Sequence, residues 1–209
     1  MRGHDNDSDQ RLWRMDPDGS NLKRLTSGAS DAFPICALSG KWVYYNGGSK
    51  SPWTRVTLDG ATNEGLHPHI EAGWGVFGIT SISPDQRRLV SYNTRADAST
   101  NTYTQKLGVF SSDSVESPLQ AVAPNPLISI RGAGVRFTPD GQALAYAITG
   151  SNNEDNLWVQ PLDGKPGRQI TQFHSDSFAG AGWSPDGKKL LIARGHVESD
   201  VILLRDTSK

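Results

Sequence analysis

The chain has 209 residues, a formal net charge of −1, 35% hydrophobic and 21% charged residues. That balance fits a folded globular chain and excludes the low hydrophobicity and high net charge of a disordered one. It gives no electrostatic reason to expect nucleic acid as a partner, and no apolar run approaches the length of a membrane-spanning helix.

The opening Met1-Arg2-Gly3-His4-Asp5-Asn6-Asp7 is polar and lacks the apolar stretch of a secretory signal. Leu12-Trp13-Arg14-Met15 then reads as a short strand running into Asp16-Pro17-Asp18-Gly19, a hairpin turn, with the return ending at Leu25-Thr26. Phe33-Pro34-Ile35-Cys36-Ala37-Leu38 follows. Cys36 is the only cysteine, which excludes an intrachain disulfide and a cysteine-based zinc site, and its apolar setting predicts a buried structural thiol. Further on, Trp42 to Tyr45, Leu89 to Tyr92, Leu144 to Ile148, Leu190 to Ala193 and Val201 to Leu204 are short apolar runs bounded by turn residues. Their length predicts strands rather than helices. Because they are almost continuously apolar, they predict sheets covered on both faces, as in stacked blades.

Two elements repeat. Leu12-Trp13 through Asp18-Gly19 to Thr26 lies without gaps over Leu157-Trp158 through Asp163-Gly164 to Thr171, at a constant offset of 145, and Trp53 to Gly60 is a weaker copy. Ser83-Pro84-Asp85-Gln86, Thr138-Pro139-Asp140-Gly141 and Ser184-Pro185-Asp186-Gly187 form the second set, with Leu38-Ser39-Gly40 a shortened version. Gly40, Gln86, Gly141 and Gly187 are spaced by 46, 55 and 46, and three such periods span the offset of 145. Proline presets the turn and glycine supplies its left-handed end. Each period then reads as a four-stranded antiparallel blade of about 45 residues. The predicted fold is an all-β propeller, incomplete at about four to five blades: a partial blade over 1–29, blades over 30–70, 71–125 and 126–174, and a last blade over 175–209.

Trp183-Ser184-Pro185-Asp186-Gly187-Lys188-Lys189-Leu190, with Leu157-Trp158-Val159 and Arg168-Gln169-Ile170-Thr171, resembles the PD40 repeat of TolB-like propellers. The stretch from Gln169 through Trp183 to Asp206 resembles the end of propellers in bacterial multidomain signalling proteins, where a Ser/Thr kinase or winged-helix regulator precedes the blades. That resemblance implies an upstream domain of the same polypeptide. The phase of the repeat, which opens on the third and fourth strands of a blade, implies a start of the functional unit before Met1. The likeness to TolB-like propellers favours an extracytoplasmic setting, while the single cysteine is compatible with either side of the membrane.

Candidate sites divide into those with a structural explanation and those without. Asp5-Asn6-Asp7-Ser8-Asp9 lacks the central glycine and terminal Glu of a calcium loop and reads as a solvated hairpin loop. His67-Pro68-His69 has no third ligand at a useful spacing, so no metal site is expected. His174, Ser175 and Asp176 are consecutive and cannot converge as a relay. Gly73-Trp74-Gly75-Val76-Phe77-Gly78 leads into a strand, not the helix that dinucleotide binding needs; with Gly132-Ala133-Gly134 and Gly180-Ala181-Gly182 it reads as close packing of inner strands. Trp13, Trp42, Trp158 and Trp183 occupy repeat-equivalent strand positions and read as core; Trp53 is open, and Trp74 is kept as a surface contact. The expectation is a non-catalytic propeller without cofactor, binding a protein or small ligand at the channel mouth through a rim of Asp31, Trp74, Arg131 and Asp176. The alternative is the gating propeller of a prolyl-oligopeptidase-like serine peptidase, without its hydrolase domain.

Overall fold

The computed structural model describes residues 9–47, 51–129, 134–184, 186–196 and 198. A hairpin of β1 (Trp13–Arg14) and β2 (Lys23–Arg24) comes first. A four-stranded antiparallel sheet follows, ordered β3 (Asp31–Cys36), β4 (Trp42–Gly47), β5 (Ser51–Thr57) and β6 (Asn63–Gly65). After β7 (His67–His69) the second sheet holds β8 (Gly75–Ile82), β9 (Arg88–Asp97) and β10 (Thr102–Ser111). Next, β11 (Glu116–Pro118) leaves its own sheet to pair in parallel with β7, and β12 (Gln120–Val122) closes the second sheet's outer edge.

In the third sheet, β13 (Ile128–Ser129) and β14 (Arg136–Phe137) pair with opposite ends of β15 (Ala143–Thr149), which is followed by β16 (Asp155–Pro161) and β17 (Arg168–Gln169). The last described hairpin is β18 (Ser177–Trp183) with β19 (Leu190–Gly195). Asp5 to Ser8 and the expected strand at Val201 to Leu204 lie outside the described residues. The architecture is all-β, and the stacked sheets are propeller blades.

Stacking follows from the twofold period of a strand, whose successive side chains point to opposite faces. In β4, Val43 and Tyr45 pack with Leu12, Leu25 and Val56 toward the first hairpin. Tyr44, between them, packs the other way with Trp53, Leu66, Leu89 and Phe110. In β15, Leu144, Tyr146 and Ile148 meet Val90, Tyr92 and Leu107 of the second sheet, while Ala145 and Ala147 meet Leu157 and Phe178. Every strand of this kind therefore serves two interfaces.

The full copies of the repeated turns are built from the same hydrogen bonds, which the shortened Ser39-Gly40 copy, without an aspartate, lacks. The hydroxyls of Ser83, Thr138 and Ser184 donate to Oδ1 of Asp85, Asp140 and Asp186 at 2.5, 2.6 and 2.6 Å. Those carboxylate oxygens also accept the N–H groups of Arg87, Gln142 and Lys188 at 3.1, 2.9 and 3.1 Å. Gly141 and Gly187 take φ +68° at the left-handed position, and Gln86 takes +64°. Gln86 departs from the motif because its Oε1 accepts the Ser39 N–H at 3.1 Å, tying two blades' turns together. The closing threonines of the other repeat act alike: Thr26 and Thr171 Oγ1 accept the N–H groups of Leu12 and Leu157 at 3.0 and 2.8 Å.

Two expectations need correction. Cys36 is exposed, because a bulge between Ala32 and Ile35, with Phe33 at φ +55°, shifts the phase of β3 and turns Phe33 and Cys36 away from the neighbouring sheet. Trp13 is 54% exposed. Leu12 packs toward the next sheet, so Trp13 points the other way, where the described residues place no sheet. Trp158 has the second sheet's cluster on that side. Trp53 is buried, with its ring centroid 5.5 Å from that of Phe110.

Leu144 fills the interface between two blades, so Leu144→Ala is expected to cost about 3 kcal/mol in urea unfolding, and Leu191→Ala, on an exposed face, less than about 0.5 kcal/mol. The hydroxyl donors, with the backbone N–H groups second, hold the carboxyls of Asp85, Asp140 and Asp186 below the usual carboxylate range. Their contribution is therefore complete above the unfolded value of about 3.9 and disappears as pH falls through the lower folded values. The urea midpoint of the wild type is expected to fall more steeply below about pH 4 than that of the Asp85→Asn, Asp140→Asn, Asp186→Asn triple variant.

Candidate functional site

The inner strands β3, β8, β14 and β18 all run from one mouth of the channel, the entry mouth, toward the repeated turns at the other, the exit mouth. Of the rim residues expected from sequence, Asp31, Trp74 and Asp176 lie at the entry mouth, and Arg131 is outside the described residues. Asp31 is only 5% exposed. Its carboxylate accepts the Gly28 N–H at 3.0 Å and its own N–H donates to the Gln10 carbonyl at 2.9 Å, so it closes a turn.

Trp74 is half-buried. Its Nε1 donates to Glu71 Oε2 at 3.3 Å, while Lys106 Nζ and Arg95 Cζ lie 4.3 and 5.1 Å from its ring centroid. Lys106 also bonds Glu71 at 3.2 Å and, with Trp74, holds that carboxyl below its usual range. This cluster fastens the loop before β8 to the β9–β10 hairpin. That hairpin outreaches its neighbours: β8 pairs no further than Thr94 and β12 no further than Leu107, while Arg95 to Asp97 continue to pair with Thr102 to Thr104. Tyr103, near its tip, is 68% exposed and lines a groove with Pro124 and Pro126.

Asp176 sits in the left-handed region at φ +66°, with its carbonyl accepting the Asp155 N–H at 3.0 Å. Its Oδ1 meets His196 Nδ1 at 3.0 Å, and its Oδ2 meets Ser175 Oγ at 3.2 Å and Arg194 Nη2 at 3.5 Å. His196 Nε2 is 3.1 Å from Glu198 Oε1. Serine, histidine and aspartate are thus neighbours in the wrong order for a relay: the hydroxyl donates to the carboxylate, and the second ring nitrogen is engaged by Glu198 rather than by the serine. An imidazole between two carboxylates donates from both nitrogens only when protonated, so the Asp176 bond, then Glu198, holds its pKa above the usual value.

The exit mouth holds an open groove of about 400 Å³ to which all four inner strands contribute. Its walls include Cys36, Leu38, Ile82, Arg136, Phe137 and Trp183. Leu38 is 87% exposed, Trp183 half-buried and Arg136 exposed. Among the described residues the side chain of Arg136 makes no ion pair or hydrogen bond. Sequence reasoning placed Cys36 and Trp183 in the core and passed over Arg136. One signal was available: two residues before each turn hydroxyl stand Ser81, Arg136 and Gly182, and only one of these is charged. Among the described residues no three His, Cys, Asp or Glu side chains are grouped to hold a metal, and His67 and His69 are exposed on β7.

An NMR titration of His196 is expected to give a pKa above about 6.5, and Asp176→Asn should lower it toward that value; an unchanged titration would show that the Asp176 pair is absent in solution.

No family model matches the chain, and no curated protein matches it. Among solved structures, an oligogalacturonate lyase in complex with manganese aligns at a TM-score of 0.69 and 18% identity, over 90% of this chain and 54% of that one. TolB from Acinetobacter baumannii aligns at 0.63 and 19% identity, over 87% of this chain and 42% of that one. A prolyl endopeptidase aligns at 0.53 and 13% identity, over 82% and 28%. The chain spans about half the length of these proteins or less. At such identities the likeness concerns the fold: this chain is a β-propeller of the kind found in TolB and oligogalacturonate lyase.

Proposed function

We propose that the chain is a non-catalytic binding propeller, the sensory or protein-interaction part of a larger bacterial signalling protein, and that a protein partner docks on its entry mouth. The observation that carries this reading is the overhanging β9–β10 hairpin, with exposed Tyr103 at its tip and Trp74 beneath Arg95 and Lys106 at its base. Tyrosine, tryptophan and arginine are the side chains that dominate protein interfaces. Asp176 completes the proposed rim among the described residues, and buried Asp31 closes a turn at the same mouth. The bond order in the Asp176 cluster supports a role other than catalysis. The signalling setting rests on the resemblance of the stretch from Gln169 to Asp206. The fold shared with a prolyl endopeptidase favours the second reading, a peptidase's gating propeller; the chain carries no chemistry of its own in that case either.

A photoreactive benzophenone amino acid placed at Tyr103 is expected to yield a discrete protein adduct in cells, while the same group at Leu38, on the opposite mouth, yields none. Arg95→Glu should reduce the Tyr103 adduct about tenfold. No adduct at Tyr103, or equal adducts from both positions, would overturn the reading.

A further inference from the structure

We infer that the exit-mouth groove is a second binding site, distinct from the rim, for small monocarboxylates carried on a flat apolar body. A groove of about 400 Å³ falls within the range of small-ligand sites, which are mostly apolar with a few placed polar groups. Here the apolar walls are Leu38, Ile82, Phe137 and Trp183, and the placed group is Arg136.

The charge of the ligand follows from the cations at hand. Arg88, the cation behind the groove wall, is engaged: its Nη2 donates to the Gly141 carbonyl at 2.8 Å and its guanidinium lies 5.5 Å from the centroid of the Phe137 ring. Arg136 alone among the groove's walls carries a charge, and no carboxylate among the described residues neutralises it. One guanidinium presents a planar fork that matches one carboxylate through two parallel hydrogen bonds. A dianionic phosphate would leave one negative charge uncompensated against apolar walls, which is costly. The half-buried indole of Trp183 offers a flat surface for the body of the ligand.

The groove is also held in shape before any ligand arrives. Ser39 N–H to Gln86 and Arg88 to Gly141 link the first turn to the second and the second to the third, at 3.1 and 2.8 Å. Pro139 packs against Gly187 in the fourth. A wall assembled from four blades and fastened turn to turn loses little freedom on binding.

Cys36 provides the readout, since it is the only thiol in the chain and lies in the groove wall. Its alkylation by iodoacetamide would be followed by mass spectrometry on the full chain, with indole-3-acetate and indole-3-acetamide as probes. Indole-3-acetate is expected to slow alkylation saturably, and the neutral amide to need about tenfold more for the same protection. Arg136→Gln should bring the two probes to equal potency and leave the urea midpoint unchanged. Equal protection by acid and amide in the wild type, no protection by the acid, or an acid preference that survives Arg136→Gln would each overturn the inference. None of these outcomes bears on the Tyr103 adduct, which reports the opposite mouth.

Discussion

A four-stranded sheet with apolar side chains on both faces cannot shield itself, and everything else in this molecule depends on that. Val43, Tyr44 and Tyr45 are consecutive and all buried, yet they belong to two different interfaces. The same division in β15 sets Leu144, Tyr146 and Ile148 against one neighbour and Ala145 and Ala147 against the other. The small pair leaves room for Phe178, whose ring meets Phe173 edge-on at 6.0 Å. Large faces small across the gap, which is how a packed interior reaches crystal-like density. Where the described residues supply no neighbour, as beyond Trp13, an indole that is core elsewhere in the repeat stands in solvent.

Hydrophobic contact alone would let blades slide, and buried polar groups fix their register. Arg55 donates to Glu64 at 2.7 Å and to the Ser112 carbonyl of the next sheet at 2.6 Å, while its guanidinium stacks 4.3 Å from the Trp42 ring centroid. Tyr44 donates to that same carbonyl at 3.3 Å. Asp155, buried at the following interface, accepts from Thr149 at 2.6 Å and from the Phe178 N–H at 2.8 Å. Such groups add little to stability beyond an apolar pair of the same shape, but removing one partner strands the other, so alternative registers are penalised. Gly78 belongs to the same system: at φ +100° it lies where any Cβ would collide with Asn46, whose Oδ1 accepts the Ile79 N–H at 3.2 Å.

The fold was legible in the sequence because its repeats are made of local chemistry. Hydroxyl, carboxylate and left-handed residue must stand at fixed spacing for Ser83-Pro84-Asp85-Gln86 and its copies to close, and Thr26 and Thr171 recur because a hydroxyl is needed opposite a leucine N–H. The site was less legible. A repeat reports where in a strand a residue stands, not what covers it, so Trp13 and Trp183 read like Trp158. The bulge that exposes Cys36 depends on Phe33 adopting a positive φ, which an apolar run does not announce. The parallel pairing of β7 with β11 joins short segments far apart in the chain, one centred on Pro68, and carries no local signal. The stretched spacing of 55 was visible, but not that part of it forms a hairpin reaching past its sheet.

The two mouths differ in a way that follows from this construction. The exit mouth is made of nearly identical turns that must fit one another, since Gln86 meets Ser39, Arg88 meets Gly141 and Pro139 meets Gly187. A change there meets a neighbouring blade, and the residues just before the turns, where Arg136 and Trp183 stand, differ from copy to copy. The entry mouth has no such constraint. One blade contributes a cation-capped tryptophan and a long hairpin, another an inner strand divided into β13 and β14, and the last an aspartate clasped by histidine and arginine. A partner on that side would meet different chemistry at every blade, the arrangement that discriminates among protein surfaces, whereas a ligand on the exit side would meet one charge and one ring.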